Sequence, residues 1–148
     1  MQELSLPPFE YKVKKQHGVV YLYDIIRKKY VVLTPEEWVR QHFIHYLIND
    51  RQYPAPLIDV EKLVEINGLK RRFDIVCYDR NATPLLIVEC KAPNISLSQS
   101  VFDQAFEYNS ILAARYVAIT NGIRHWCGTK NAEGKFCLEE EIPPFLSE

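Results

Sequence analysis

The sequence predicts an α/β fold in which helices cover a mixed β-sheet, and two patterns carry that prediction. Helical and strand-like segments follow one another in the order helix, three strands, helix, strand. The second and third of these strands, near residues 73–78 and 85–90, are apolar on both faces, which is typical of strands buried between two layers. With 148 residues, 47 % of them hydrophobic and 25 % charged, the chain is long enough to form one globular domain with a proper core.

The ends of the chain differ in composition from its middle. The first 17 residues are proline-containing and of mixed charge, and they predict an arm that packs loosely or against a partner. Residues 19–23 and 30–33 are rich in β-formers and predict two strands. We expect one domain over residues 18–138, followed by an acidic tail of residues 139–148 that contributes no chemistry.

The first helix has a clear start. Thr34 is a favourable N-cap, Pro35 suits the first helical position, and Glu36 and Glu37 are acids in the first turn, so we expect a helix to about Asn49. Its apolar stripe consists of Val39, Phe43, Tyr46 and Leu47. Glu36 lies on that inward stripe, whereas Glu37 is turned about 100° away from it.

The remaining elements alternate with clear turn signals. Residues 58–66 predict the first core strand, and Asn67 with Gly68 predicts a tight hairpin that leads into the next strand. A second helix is expected over residues 97–114 and a short strand over residues 116–120. A closing hairpin is expected from two further segments, residues 124–128 and 136–138.

Two carboxylates fall on the central strand pair. If the turn of residues 79–84 is symmetric, Tyr78 pairs with Leu85, and the antiparallel ladder places Asp74 opposite Glu89. Their Cβ atoms would be about 5 Å apart, and two carboxylates at that distance repel unless a cation lies between them.

Lys91 completes a candidate site with these two acids. Side chains alternate along a strand, so Lys91 points to the same face as Glu89. The pattern therefore predicts a divalent ion held by two carboxylates with an ammonium group beside it. A surface hairpin with ordinary exposed ion pairs is the alternative, and the apolar residues on both faces disfavour it.

Charge restricts the mode of nucleic-acid binding. A net charge of −1 argues against a protein that coats nucleic acid through bulk charge. Three local runs are nevertheless basic: Lys12, Lys14 and Lys15; Arg27, Lys28 and Lys29; Lys70, Arg71 and Arg72. The third is favoured as a phosphate contact because it leads directly into Asp74.

The cysteines and the histidines do not predict a metal site. Cys77, Cys90, Cys127 and Cys137 have no CxxC spacing, and we expect small buried hydrophobes in a reducing compartment. His42 and His45 lie three apart with no third ligand in view, so we expect surface or interface histidines. The chain has no long apolar run and no signal-peptide pattern, so we expect a cytoplasmic protein with no membrane contact.

At the acidic strands the sequence resembles the PD-(D/E)xK nuclease superfamily. Asp74 takes the place of the first Asp of the motif, and Glu89, Cys90 and Lys91 match E-x-K, while Phe73 stands where the motif has Pro. Further segments are similar to the N-terminal nuclease domain of type I restriction enzyme R subunits: TPEEWVRQ, KRRFDIV, VECKAP and QAFEYN. The resemblance covers about residues 20–128.

The resemblance implies a restriction-endonuclease-like αβββαβ core and Mg²⁺-dependent hydrolysis of DNA, with Mn²⁺ as a possible substitute. It implies that Asp74, Glu89 and the backbone carbonyl of Cys90 hold the metal and that Lys91 acts on the attacking water. The additional residues that it implies are Glu36 as a further acid, Gln104 and Tyr108 as an i,i+4 pair that orients the lysine or the phosphate, and Glu61 as a weaker candidate.

One departure from the family leaves the role of the chain open. The chain has no GxxxxGK[ST] phosphate loop, so the motor of a complete R subunit is missing. We expect a small nuclease that acts alone or with separate motor or specificity subunits, and a homodimer suits the cutting of two strands. Two alternatives stay open at this point, a non-catalytic nucleic-acid-binding or assembly module and a Holliday-junction-resolving dimer.

Overall fold

The computed structural model describes residues 2–109, 111–134, 136–139 and 141–145, and in these residues it contains two β-sheets and two α-helices. The smaller sheet comes first and is an antiparallel meander of β1 (Val13–Gln16), β2 (Val19–Asp24) and β3 (Lys29–Val32). The two strands that the sequence predicts in this region are therefore confirmed, with β1 as an additional strand.

The larger sheet has six strands, which neighbour one another in chain order. They are β4 (Ile58–Ile66), β5 (Leu69–Tyr78), β6 (Pro84–Cys90), β7 (Tyr116–Thr120), β8 (His125–Lys130) and β9 (Phe136–Glu139). The pair β6 and β7 is parallel and the other neighbours are antiparallel. A helix precedes β4 and another connects β6 to β7, so the predicted αβββαβ order and mixed sheet are confirmed.

Helix α1 (Pro35–Asn49) begins where the sequence predicts. The Thr34 side chain accepts a hydrogen bond from the Glu37 N–H, and Pro35 occupies the first turn. One hydrophobic cluster joins the small sheet, the helix and the large sheet through Leu22, Phe43 and Ile75. Because both sides of the helix are covered, its polar residues are buried along with its apolar stripe, which a one-sided amphipathic pattern does not anticipate.

Helix α2 (Gln99–Tyr108) packs on the opposite face of the large sheet. Phe102 and Ala105 contact a second cluster that includes Ile87 and Val117. The helix is shorter than the predicted 97–114, because Asn109 binds the backbone of Ala114 through two hydrogen bonds of 2.9 Å. These side-chain bonds turn the chain back towards β7 and replace the next helical turn.

The turn between β5 and β6 differs from the predicted symmetric loop. Tyr78 pairs with Pro84 rather than with Leu85, while Cys77 pairs with Leu86. Leu85 is thus an extra residue in β6, and the bulge absorbs the asymmetry of the turn. The predicted pairing of Tyr78 with Leu85 is wrong, but the register beyond the bulge is the one that aligns Asp74 with Glu89.

Both terminal segments pack more tightly than the sequence predicts. Leu4 is buried beside Gly122, and the Trp38 indole N–H donates to the Gln2 carbonyl at 2.7 Å. At the other end, Ile142 and Phe145 belong to the main hydrophobic cluster. The prediction that the arm packs loosely is wrong, because a few apolar side chains anchor segments that are otherwise polar and proline-containing; that the tail contributes no chemistry stays a prediction.

The cysteines are free thiols, and three of the four are buried. Cys77, Cys90 and Cys127 lie inside the strands as predicted, whereas Cys137 is exposed on β9. In the part of the chain that the structure describes, neither helix has the length and apolar character required to cross a membrane.

Candidate active site

Asp74 lies on β5 at the end of its ladder with β6. The last paired residues of the ladder are Ile75 and Val88, and one step further the strands separate. The buried Asp74 carboxylate fills that gap, since its Oδ2 accepts from the Cys90 N–H at 2.7 Å and its Oδ1 from Arg40 Nη2 at 2.9 Å. Asp74 therefore connects β5 to β6 and to helix α1.

Glu89 and Lys91 lie beside Asp74 at the end of β6. Lys91 Nζ is 3.5 Å from Glu89 Oε1, and about one third of each side chain is exposed, 34 % and 32 % respectively. The Lys91 N–H donates to the Thr120 carbonyl at 2.8 Å, which holds the residue in line with the strand. The neighbouring positions predicted for this acid and this lysine are thus observed.

Burial and a neighbouring negative charge make Glu89 a weaker acid than usual. Burial and the nearby Asp74 carboxylate together raise the pKa of Glu89 to about 7, because Lys91 opposes them only in part. Near neutral pH both the protonated and the charged form of Glu89 are consequently populated. A full negative charge on Glu89 is thus unfavourable beside Asp74 in this arrangement, and a further cation would stabilise it.

The two glutamates of α1 face different surroundings. Glu37 is only 7 % exposed and accepts hydrogen bonds from Arg27, Arg40 and Gln41. The Glu36 side chain is 47 % exposed, so the prediction that Glu36 is the inward residue of the pair is wrong. The reason is the coverage of both sides of α1, which buries residues outside the apolar stripe as well.

Glu36 nevertheless lies near the acids of the sheet. Burial and the Asp74 charge raise the pKa of Glu36 above its ordinary value. Its Oε1 is 3.4 Å from Arg40 Nη2, which also binds Asp74. Glu36 thus borders the site from the solvent side, while Glu37 supports the site from the interior.

Arg40 is the residue of this site that sequence reasoning missed. Its Nη2 is 2.6 Å from Glu61 Oε1 and 2.9 Å from Asp74 Oδ1, and its Nη1 is 2.7 Å from Glu37 Oε1. Burial lowers the pKa of Arg40, but Glu37, Asp74 and Glu61 outweigh that effect and raise it above its usual value. The sequence did contain a signal for it, because Arg40 follows Glu37 by three residues and Glu36 by four, and such neighbours meet on a helix.

The contacts of Arg40 continue into the small sheet. Arg27, in the turn between β2 and β3, is 2.8 Å from Glu37 Oε1 and also binds the buried Asp24. The Asp24 carboxylate accepts from the N–H groups of Ile26 and Arg27, which fixes the turn. A continuous chain of ion pairs therefore runs from the small sheet through α1 to Asp74.

Glu61 occupies the position on β4 that corresponds to Asp74. Its neighbours Val60 and Lys62 pair with Ile75 and Phe73, so the register aligns Glu61 with Asp74. Glu61 has a positive φ of 58°, a backbone conformation that residues other than glycine seldom adopt. The aligned positions of three adjacent strands thus all carry an acid.

Gln104 and Tyr108 share one face of α2, as their spacing predicts. Gln104 Nε2 donates to the Tyr108 hydroxyl at 3.0 Å. The Arg71 guanidinium carbon lies 4.8 Å from the centre of the Tyr108 ring, a cation–π contact. Tyr108, Arg71 and Glu89 line one cleft between α2 and the sheet, and Gln104 lies on the exposed side of the helix.

The basic run of β5 does not act as one face. Arg71 packs against Tyr108, whereas Arg72 Nη1 is 3.5 Å from Glu61 Oε2, and Lys70 is exposed near the hairpin turn. Alternation along the strand separates adjacent residues in this way. Arg71 and Arg72 therefore approach the acids from two directions, and Lys70 lies further out.

The histidines do not extend the acidic site. His42 is buried with its Nδ1 3.1 Å from the Trp38 carbonyl, and His45 stacks on Phe9 with ring centres 4.1 Å apart. The prediction of surface or interface positions is wrong for His42, which packs inside against aromatic rings. Within the described residues, no three His, Cys, Asp or Glu side chains gather closely enough to hold a metal ion in the present arrangement.

Comparison with known proteins agrees with this architecture. Residues 35–143 match the family model described as type I restriction enzyme R protein N terminus. A fragment assigned as an HsdR subunit of a type I restriction enzyme from Vibrio vulnificus YJ016 superimposes with a TM-score of 0.52 at 20 % sequence identity, over 76 % of this chain and 24 % of that one. At this identity the likeness concerns the fold, and it agrees with the predicted restriction-endonuclease-like class. No curated protein matches the sequence.

Proposed function

The chain belongs to the family of type I restriction enzyme R protein N termini, and from this premise we propose that it is a Mg²⁺-dependent DNA endonuclease. One observation carries the proposal. Asp74 and Glu89 meet at the ends of two adjacent buried strands with the Lys91 ammonium beside them. Arg40 pairs with Asp74 and Lys91 with Glu89, yet the pKa of Glu89 stays raised, which indicates that these pairs leave the second carboxylate poorly compensated.

The residues present fit a magnesium ion by their chemistry. Carboxylate and carbonyl oxygens are the ligands that Mg²⁺ prefers, and Asp74, Glu89 and the Cys90 carbonyl would supply them. The raised pKa of Glu89 fits as well, because a divalent ion would stabilise its charged form. When bound, the metal would neutralise phosphate charge and activate water for in-line attack. Mn²⁺ has similar preferences and would substitute.

The side chains around the acids have separate tasks in this proposal. Arg40 and the Cys90 N–H hold both oxygens of Asp74, which fixes the direction of the carboxylate. Lys91 would orient the attacking water and stabilise the charge that develops on the phosphate. Glu36 would add an acid at the solvent side of the site.

The cleft between α2 and the sheet would receive the DNA backbone. Arg71 is held over the Tyr108 ring and lines the same cleft as Glu89, so it would contact a phosphate close to the acids. Gln104 would keep the Tyr108 hydroxyl in place through their hydrogen bond. Arg72, which also lines this cleft, would contact a neighbouring phosphate, and Lys70 a more distant one.

The Arg40–Asp74 ion pair favours a second candidate function. A guanidinium group already neutralises one of the two acids, and the described acids do not form a three-ligand group. A family member that uses this fold to bind DNA or to assemble with other subunits, without cutting, would be satisfied by such an arrangement.

Cleavage assays distinguish the two functions. Supercoiled, linear and branched DNA would be incubated with the protein in Mg²⁺, in Mn²⁺ or in EDTA. The matched variants are Asp74→Asn, which removes one charge from the site, and Asp59→Asn, which removes one from a half-exposed position on the same sheet. The nuclease proposal expects nicking by the wild type and by Asp59→Asn in metal, and none by Asp74→Asn. DNA binding with no cleavage in either metal would favour the second candidate.

The wider assembly belongs to the proposal too. The chain spans 24 % of the length of the Vibrio vulnificus chain. We propose that this chain works together with the motor and specificity functions of a restriction system, that the system acts on DNA in the cytoplasm, and that two copies of this chain pair to cut both strands.

A further inference from the structure

The outward face of the small sheet carries tyrosines that belong to neither hydrophobic cluster of the described residues. Leu22 and Asp24 of β2 are 0 % exposed and point towards α1, so the alternating residues Tyr21 and Tyr23 point away from it. The register aligns Tyr23 with Tyr30 of β3, and their rings meet edge to face with centres 5.2 Å apart. We call this surface the tyrosine face; its members are Lys12, Lys14, Val19, Tyr21, Tyr23, Tyr30 and Val32.

Lysines lie over these rings. Lys14 Nζ is 4.4 Å from the centre of the Tyr30 ring and 5.8 Å from that of Tyr21. Lys12 Nζ is 5.7 Å from the centre of the Tyr23 ring. Each ammonium group is attached to a flexible stem, so it can leave the ring for a nearby anion while the tyrosine stays in the sheet.

Charge is concentrated in this part of the chain. Residues 12–32 contain six lysine or arginine residues and a single acid, Asp24, which is buried and bound to Arg27. The segment therefore carries a net charge of +5, whereas the whole chain carries −1. Two of these cations, Lys12 and Lys14, lie on the tyrosine face itself, and no acid is among its members, which favours a polyanionic partner.

The apolar parts of the face are exposed as well. Among the described residues, neither hydrophobic cluster includes the three tyrosines, and Val19 and Val32 are 39 % and 49 % exposed. A partner that combines negative charge with flat apolar surfaces would match this combination. Nucleic-acid strands have that chemistry, because phosphates alternate with bases whose faces stack on aromatic rings.

We propose that the tyrosine face binds single-stranded nucleic acid. Tyr21 and Tyr30 stack unpaired bases, and Lys12 and Lys14 hold the phosphates between them. A duplex fits poorly, because its base faces are already stacked and closed to a protein side chain. The face is separate from the acids of the large sheet, so the inference goes beyond the proposed nuclease activity and requires neither metal nor cleavage.

Binding measured in EDTA tests the proposal without interference from cleavage. Fluorescence anisotropy would follow a labelled oligothymidylate of about 20 nucleotides, long enough to cover the face, beside a duplex of the same length. The variants are Tyr21→Leu with Tyr30→Leu, and Lys14→Gln; Lys62→Gln removes an exposed strand lysine elsewhere and is the matched control. Circular dichroism would verify that each variant is folded.

The expected results are specific to the face. The double tyrosine variant binds the single strand at least about tenfold more weakly, since two stacking rings are lost. Lys14→Gln lowers the slope of log affinity against log salt by about 0.7, as expected for one lost phosphate contact on a single strand. The Lys62→Gln variant binds as the wild type does, and the wild type binds the duplex more weakly than the single strand.

A second measurement keeps the proposal testable if a tyrosine variant fails to fold. Ultraviolet cross-linking of the wild-type protein to the same oligothymidylate, followed by mass spectrometry, is expected to label Tyr21 or Tyr30. Labelling confined to Tyr108, or equal binding by wild type and Lys14→Gln at every salt concentration, would overturn the assignment. The absence of any binding would also overturn it and leave a protein partner as the occupant of the face.

Discussion

Glu89 shows how much one residue of the site depends on its neighbours. Its ordinary pKa is 4.5, and burial together with Asp74 raises it to about 7. The sequence predicts that these two acids are close, but not how deeply each is buried. Asp74 has two hydrogen-bond donors and Glu89 has a lysine at 3.5 Å, and that difference depends on the positions of Arg40 and of the end of β6.

The raised pKa predicts a pH dependence of stability. A carboxyl group whose pKa is higher in the folded chain destabilises the fold once it is charged, so this cost appears as pH rises from about 4.5 to about 7 and is full above that range. Without metal, Glu89→Gln is therefore expected to raise the melting temperature by a few degrees at about pH 8 and to leave it unchanged below pH 4.5. Thermal unfolding in EDTA measures both. An equal effect of the substitution at both pH values would contradict the raised pKa.

Lys91 carries the second prediction at this scale. Lys91→Ala is expected to keep the fold and the metal affinity and to reduce cleavage at least about 10²-fold, because the lost ammonium acts on the reacting water and phosphate. Calorimetry and cleavage assays on the same preparation measure the two properties, with Lys62→Ala as the control. A Lys91→Ala protein that cuts at the wild-type rate would exclude the assigned role.

At the scale of elements, the sequence predicts the helix starts and strand bounds that depend on neighbouring residues. Thr34 and Pro35 specify the start of α1, and β4 has the bounds that its apolar pattern indicates. The end of α2 was mispredicted because Asn109 binds the backbone of Ala114, a contact that depends on where β7 begins. The burial of Glu37 and Arg40 could not be predicted either, because it requires the small sheet to cover the side of α1 that the helical pattern leaves polar.

Arg40 carries the prediction that belongs to α1. Arg40→Met removes the cation from three carboxylates, Glu37, Glu61 and Asp74, and is expected to lower the free energy of unfolding by about 3–5 kcal/mol. Urea unfolding measures the loss, and Lys62→Met, which breaks a half-exposed pair, is expected to cost less than about 1 kcal/mol. Mg²⁺ should then stabilise Arg40→Met more than it stabilises the wild type, since the acids are left unpaired. A loss no larger than that of the control would show that the network is not needed for the fold.

At the scale of the whole molecule, the site is a product of long-range assembly. Glu61, Asp74 and Glu89 come from three adjacent strands, and the register that aligns them depends on the hairpin at Asn67 and on the bulge at Leu85. The sequence predicted the first of these features and the alignment of two acids. It did not predict the bulge, because the Asp79 side chain accepts from the N–H groups of Asn81 and Thr83 and closes the loop before Pro84, a set of contacts that a symmetric turn does not anticipate.

The number of copies in solution is the prediction that belongs to this scale. One chain brings together one group of acids, whereas cleavage of duplex DNA requires attack on two strands, so a homodimer is expected. Size-exclusion chromatography with light scattering at micromolar concentration measures the mass directly. A strict monomer, with or without DNA, would remove the dimer from the account.

The most direct test of the central claim is a calorimetric titration of Mg²⁺ and of Mn²⁺ into the wild-type protein and into Asp74→Asn. If Asp74 and Glu89 hold a divalent ion, the wild type binds both metals and releases protons from Glu89 near neutral pH. Asp74→Asn then binds neither metal, although it stays folded. Equal binding by the two proteins would place the metal elsewhere, and no binding by the wild type would contradict the metal-dependent nuclease.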